Sequence, residues 1–209
     1  MKPESWPEAL PGSEDALRFA RDPAEFGRMR LAALEKEGKL VDLARNGDFG
    51  SDKADSNQGA AVDWKEGGAP AGWSTWQESA SKGAFTWDRE TGDAGKGSAR
   101  AAGVAGGCFI QSWDVEPGER YAVRASRRVH GRGTAWIRAR WQTEDAKWTL
   151  EEQDRIFSCQ GPADAWGRIF GVVEVPEGAG KLVILLGVGG QTSAEDALWF
   201  DDVHVYRLE

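Results

Sequence analysis

Two histidines, two cysteines, two tyrosines and two methionines are all that 209 residues supply of those types, and each shortage removes a class of chemistry. With His130 in a predicted turn and His204 on a strand near the terminus as the only imidazoles, a catalytic or metal centre built on histidine has little to draw on. Cys108 and Cys159 cannot make a disulfide framework and lack zinc-ligand spacing; they read as a single disulfide or as two buried free thiols. No apolar run approaches the ~18 residues that would span a bilayer, and the longest, "KLVILLGVGG", is strand-length and ends in glycine. G-x-S-x-G, H-E-x-x-H and the phosphate-binding loop are missing, and among 34 acidic residues nothing singles out a pair for glycoside hydrolysis. Basic residues are also in deficit: a formal net charge of −8 argues against a general nucleic-acid binder, which needs a net basic surface. The start, "MKPESWPEALPGSEDALRF", lacks the basic-then-apolar layout of an export signal. The chain is expected to be either intracellular or part of a longer precursor whose signal lies upstream.

Glycine and tryptophan are plentiful, at 27 and 11 residues. Short apolar runs punctuated by Gly, Pro, Asp and Asn predict an all-β protein with many turns. The length suits one sizeable domain with something appended. The appendage is residues 1–39, where "SEDALRFARDPAEFGRMRLAALEKEG" has helical period: Leu17 and Ala20 in a first short segment, Phe26, Met29 and Ala33 along one face of a second. Asp22-Pro23-Ala24-Glu25 reads as an N-cap, a proline at the first helical position and an acid three residues after the cap, with Gly38 as the stop. Too short for a domain, this segment is expected to be a helical linker or the tail of an upstream domain, its apolar stripe packed on the β-rich remainder of the chain.

From Leu40 the period becomes two. Strands are predicted over 40–49, 72–76, 84–88, 97–102, 107–115, 119–129, 133–142, 155–159, 166–175, 181–188 and 197–208, with 50–70 a long loop. Residues 40–209 are therefore expected to form a two-sheet antiparallel β-sandwich, preceded by a short helical segment. In "TAWIRARWQ" (134–142), Ala135, Ile137, Ala139 and Trp141 share one face, and Trp136, Arg138, Arg140 and Gln142 the other. The preceding strand puts Arg120, Arg124, Ser126 and Arg128 together. If the turn centres on Gly131, Arg124 opposes Arg138 and Ser126 opposes Trp136. Like charges directly opposite are unfavourable, so something anionic is expected between them, whether nearby protein carboxylates or a ligand.

"NGDF" (46–49), "PAGWSTW" (70–76), "GKGSAR" (95–100), "CFIQSWDVEPGERYAVRASRRV" (108–129), "WGRIFGVVEVPEGAGKLVILLGVGG" (166–190) and "LWFDDVHVYRL" (198–208) come in an order and spacing that resembles a carbohydrate-binding module of the galactose-binding-like jelly-roll superfamily. Over residues 40–208 the resemblance implies a jelly roll that binds a polysaccharide without catalysis. It implies too that the module is carried on a secreted glycoside hydrolase, hence an extracellular or periplasmic setting and an upstream catalytic domain as partner. The alternatives are a structural or interaction β-sandwich that binds no sugar and a small jelly-roll glycan-active enzyme. The family commonly holds a structural Ca²⁺ between its first and last strands. Asp201, which has the strand parity of Val203 and Val205 and so should point inward, is the expected ligand, with Asp48, Asn46 and backbone carbonyls of the first strand. The alternative is a carboxylate satisfied by backbone N–H groups. Gly50 departs from the family pattern, which often has an acid there.

Sugar rings pair aromatic platforms with short polar groups. The expected glycan face is Trp136, Arg138, Arg140 and Gln142 with Arg124 and Ser126, and its arginines favour an acidic glycan. A second cluster is "GWSTWQES" (72–79) with "FTWDRE" (85–90) and the loop tryptophans Trp64 and Trp148, of which Trp87 and Trp148, with polar flanks, are the better exposed. Of Trp73 and Trp76, three apart and so on opposite faces, one belongs to the core. Trp113, Trp166 and Trp199 read as core.

Overall fold

Alternation from Ser74 onward produces ten strands: β1 (Ser74–Gln77), β2 (Ala84–Asp88), β3 (Ser98–Ala102), β4 (Gly106–Asp114), β5 (Arg120–His130), β6 (Thr134–Gln142), β7 (Arg155–Phe157), β8 (Gly167–Glu174), β9 (Lys181–Gly189) and β10 (Ala197–Arg207). The structure is a computed structural model that describes residues 13–50, 69–93 and 95–209. Trp64 and most of the expected 50–70 loop lie outside these residues. Two antiparallel five-stranded sheets result: a front sheet ordered β1-β4-β9-β6-β7 and a back sheet ordered β2-β3-β10-β5-β8. The inward sets of the two sheets interdigitate. Phe109, Ile137, Trp141, Leu182, Ile184 and Leu186 meet Tyr121, Ile169, Leu198, Phe200 and Val205, all fully or nearly fully buried. This is the all-β two-sheet sandwich that the sequence pattern predicts and the jelly roll that the resemblance implies.

Three expectations are corrected. Residues 40–49 form no strand, only an isolated bridge between Asp42 and Tyr206; Asn46 and Phe49 take left-handed φ of 48° and 46°, which extended pairing does not allow. The turn after β5 is not a hairpin within one sheet. With Gly131 at φ 69° and Gly133 at φ 143° the chain turns a corner, so that β5 pairs with β10 and β8 while β6 pairs with β9 and β7. Arg124 and Ser126 therefore lie on a different sheet from Trp136 and Arg138.

The third correction concerns Asp201. A β-bulge interrupts the β10/β5 register between Asp201 and His204, and Asp202 sits at φ 49°. Parity is reset there: Phe200 and Val203 both enter the core, while Asp201 pairs with Ser126 on the outer face of the back sheet. Asp201 is nonetheless buried, at 1% exposure. The loop after β2 lies over it, with Asp93 N–H donating to Asp201 Oδ2 at 2.6 Å.

Helices α1 (Ser13–Arg21) and α2 (Pro23–Lys36) cover another part of the back sheet's outer face. Asp22 caps α2 by accepting from Glu25 N–H at 2.9 Å. At the other end Gly38 (φ 66°) closes a Schellman turn, in which Lys39 N–H donates to Leu34 O. Phe26 packs on Ala122, Val172, Tyr206 and Leu208, and Gly27 lets the helix approach, since a Cβ there would stand 2.3 Å from Val172 Cγ2. Met29, expected on the packed stripe, is turned to solvent; Leu31 and Leu34 pack instead.

Candidate functional site

The outer face of the front sheet carries a cleft of about 770 Å³. Strand register builds it in rows. Trp76, Cys108, Gly187 and Trp136 stand side by side across β1, β4, β9 and β6, and Ser74, Ile110, Leu185 and Arg138 form the next row. The two outer tryptophans of the first row are thus separated by three interstrand spacings, roughly 14 Å. Missing side chains shape the floor: a Cβ on Gly187 would stand 2.1 Å from Trp136 Nε1, and one on Gly189 would stand 2.9 Å from its Cη2. The Trp136 indole therefore lies flat on bare backbone. Trp76 is 55% exposed on the edge strand, while Trp73 is buried. Cys108 forms the floor between them, and burial pushes its thiol up to about 11, so it is no nucleophile.

At the other end of the cleft, Trp148 is 49% exposed and bridges backbone to backbone with Gln142. Its ring receives the Arg140 guanidinium at 4.3 Å. Trp136, Arg138, Arg140, Gln142 and Trp148 thus share one cleft. The expected charge is not available there. Asp154, its side chain 5% exposed, lies 2.6 Å from Arg138 Nη2 and 2.9 Å from Arg140 Nε, and Glu151 stands 3.5 and 3.6 Å from the two guanidiniums. Two arginines and two carboxylates cancel, which removes the argument that this face requires an anionic ligand.

The other expected contributors lie elsewhere. Arg124, on the back sheet, stands 3.5 Å from Asp202 Oδ1 and lies over Tyr206. Ser126 is fully buried under the loop after β2, donating to Asp93 Oδ2 at 2.5 Å. Trp87 leans on the core and donates from Nε1 to Phe49 O at 2.7 Å, so it is no exposed platform. Trp199 is outside the core, on the back sheet's outer face between Arg100 and Arg128. Both cysteines are free thiols.

The expected cation ligands are only partly together. Asp201 Oδ1 accepts from Asp202 N–H at 2.7 Å. A Cβ on Gly92 would stand 3.1 Å from Asp201 Oδ2, 2.4 Å from Gly95 O and 2.8 Å from Gly97 O, so only glycine fits where the loop packs against Asp201. Asp48 is turned outward and accepts from Gly50 N–H within its own turn, and the Asn46 amide donates to Ala71 O, 25 residues on, so neither side chain is hydrogen-bonded to Asp201. Among the described residues no group of three or more His, Cys, Asp or Glu side chains is placed to hold a metal ion.

Sequence reasoning put Trp76 in a candidate cluster without telling it from Trp73, and missed Ile110 and Leu185. The spacing of Trp73 and Trp76 said that one tryptophan must face outward but not which. The apolar residues of β4 and β9 read as core from either face.

No family model matches the chain, and no curated protein does. Solved structures do. The chain is similar to the enzymatically active domain of bacteriophage CBA120 tailspike protein 4, with TM-score 0.57, 15% identity, 80% of this chain covered and 21% of that one. It spans about a fifth of that relative's length. It is similar to the CBM22-1 xylan-binding domain of Paenibacillus barcinonensis Xyn10C, with TM-score 0.50, 14% identity and 69% and 90% coverage. It is also similar to the cyclase Fisc from Fischerella sp. TAU, with TM-score 0.51, 13% identity and 80% and 98% coverage. At these identities the likeness is one of fold: the β-sandwich jelly roll of carbohydrate-binding modules, which other proteins share. No helix among the described residues is long and apolar enough to cross a membrane.

Proposed function

We propose that this chain is a non-catalytic polysaccharide-binding module whose ligand lies across the front sheet, between Trp76 and Trp136 and on toward Trp148. The observation that carries this reading is the cleft itself: three solvent-accessible tryptophans border a partly exposed apolar floor of Ile110 and Leu185, with the buried Val183 beside them. Indole faces suit the C–H faces of pyranose rings, and Gln142 and Arg138 stand beside them as donors for hydroxyls. Arg140 stiffens the Trp148 platform. A neutral chain is sufficient for this cleft, because its arginines are already neutralised. Xylan is the first polymer to try, since a fold neighbour is named for binding it.

Affinity gels and calorimetry with soluble xylan and other neutral polysaccharides test the reading. Binding should be present in the native chain and lost in Trp136→Ala and Trp76→Ala. Binding that survives both substitutions would place the ligand elsewhere. No binding to any polymer would favour a structural or interaction module, and turnover of a bound polymer would make it an enzyme. The cleft supports the non-catalytic side: Glu78 is the only carboxylate among its described lining residues, so these hold no acid–base pair. An extracellular or periplasmic setting beside an upstream catalytic domain belongs to the same proposal, and the full reading frame tests it.

Ca²⁺, if bound, would be held by Asp201 and would fasten the loop after β2 to β10. Chelation should then lower the melting temperature without abolishing glycan binding, and Asp201→Ala should lose that sensitivity. Identical melting curves with calcium and with chelator would remove the ion from the account.

A further inference from the structure

Arg127 is the one arginine that β5 sends inward. Arg120, Arg124 and Arg128 share the outer face, whereas Arg127 has the parity of Val123 and Ala125 and pairs with the fully buried Phe200. At 6% exposure it is the only buried arginine among the described residues. Its outward neighbours all have carboxylates: Glu174 for Arg120, Asp202 for Arg124, Asp164 for Arg128. Arg127 has none among the described residues. Nε donates to Cys159 Sγ at 3.2 Å and Nη2 to Cys159 O at 3.0 Å, and Nη1 makes no hydrogen bond to a described residue. A desolvated guanidinium without an anion is unfavourable.

The space beside it is a pocket of about 440 Å³ between the 131–134 turn and residues 158–163. That is within the ~300–1,000 Å³ range of small-ligand sites. Among the described residues no Asp or Glu lines it, while Thr134, Ser158 and Gln160 bring polar groups to its wall. Bare backbone flanks the guanidinium: a Cβ on Gly161 would stand 3.0 Å from Nη2, and one on Gly167 would stand 3.7 Å from Cζ. Trp136 belongs to the walls of both this pocket and the front-sheet cleft.

We propose that this pocket takes the carboxylate of an acidic sugar, a uronate unit, on Arg127, while the adjoining unit of the same glycan lies on Trp136. The uronate assignment rests on the glycan-binding reading. The anion site itself rests on Arg127. A planar guanidinium matches a planar carboxylate, and the surrounding molecule, at −8 formal charge, gives no other reason for an anion to come here. The acidic preference expected of Arg138 and Arg140 is thereby moved to a residue whose charge is not cancelled.

Thermal shift and calorimetry on the full chain with sodium glucuronate test this, with glucose and inorganic sulfate as comparators. Glucuronate should raise the melting temperature and glucose should not, and the effect should shrink as salt rises. Arg127→Gln should bind glucuronate at least tenfold more weakly. Should that variant fail to fold, Gly161→Asp supplies a carboxylate beside Nη2; it should raise the melting temperature of the ligand-free protein and abolish the glucuronate response. Glucuronate binding that is unchanged in Arg127→Gln or Gly161→Asp, absent from the native chain, or replaced by binding of sulfate alone would overturn the proposal. Failure of neutral polysaccharides with glucuronate binding retained would sink the cleft reading alone.

Discussion

The outer faces of the two sheets, built from the same alternating pattern, meet opposite fates. On the back sheet the outward apolar groups Ala122, Val172 and Tyr206 lie under α2, Asp201 and Ser126 lie under a loop, and Arg120, Arg124 and Arg128 are paired. On the front sheet Ile110 and Leu185 face the cleft partly exposed and tryptophans stand exposed around it. Apolar surface left uncovered beside polar donors is where a ligand replaces water to advantage. Covering therefore serves stability, and the uncovered face is the one the proposed ligand would use.

The largest effect that sharpens this contrast comes from the covered side. Phe26 is 3% exposed and meets Phe19 edge-on at 5.6 Å. Phe26→Ala should cost on the order of 2–3 kcal/mol, below the ~3–5 kcal/mol of a phenylalanine deleted from a closed core, because the helix can peel away and limit the loss. At roughly 2–4 °C per kcal/mol for a domain of this size, calorimetry should show a fall of about 5–10 °C. Glycan binding on the front sheet should not change; a parallel loss of binding would mean that the faces are coupled.

The open side should behave the other way. Gly187→Val places a branched side chain where Trp136 lies, within 2.1 Å at Cβ alone, and must lift the indole from the sheet. Neutral glycan affinity should drop at least tenfold, about 1.4 kcal/mol. The melting temperature should move less than in Phe26→Ala, since the residue faces solvent and not the sandwich interior. A variant that melts far below Phe26→Ala would show that Trp136 serves the fold.

The legible part of the fold is the part that alternation encodes. Alternation reported faces: Trp136 with Arg138, Arg140 and Gln142, and Tyr121 opposite Arg120, were correctly divided. It did not report which sheet a strand joins, because a glycine corner and a glycine hairpin look alike in one dimension, and that separated Arg124 from Arg138. Nor did it report where parity resets. The adjacent acids of Phe200-Asp201-Asp202-Val203 held a signal, since Asp is among the few residues that tolerate a left-handed backbone. Arg127 was legible only as an exception, a charge on the core face of β5. That protein carboxylates neutralise Arg138 and Arg140 was one of two open alternatives, but which ones was not legible, because Asp154 reaches them from the segment before β7, 16 residues beyond Arg138.

The smallest predicted effect also belongs to the back sheet and concerns pH. His204 sits between two carboxylates, with Asp42 Oδ2 2.5 Å from Nδ1 and Asp202 Oδ1 2.8 Å from Nε2. Burial of the ring opposes its charge and Arg124 repels it, but the hydrogen bonds to Asp42 and Asp202 outweigh both and hold its pKa above the ordinary histidine value. A group with a raised folded pKa contributes stability that is fully present below the unfolded value, ~6.5, and is lost as pH climbs through the folded one. The melting temperature should therefore decline as pH is raised above about 6.5 and through the raised folded value. His204→Gln, which can keep one hydrogen bond but not the charge, should flatten that decline. The clamp joins the 40–45 segment to β10 on the far side of the sandwich from the cleft, so glycan affinity should be level over the same range. An affinity that followed the His204 titration and became level in His204→Gln would show that the covered face reports to the open one.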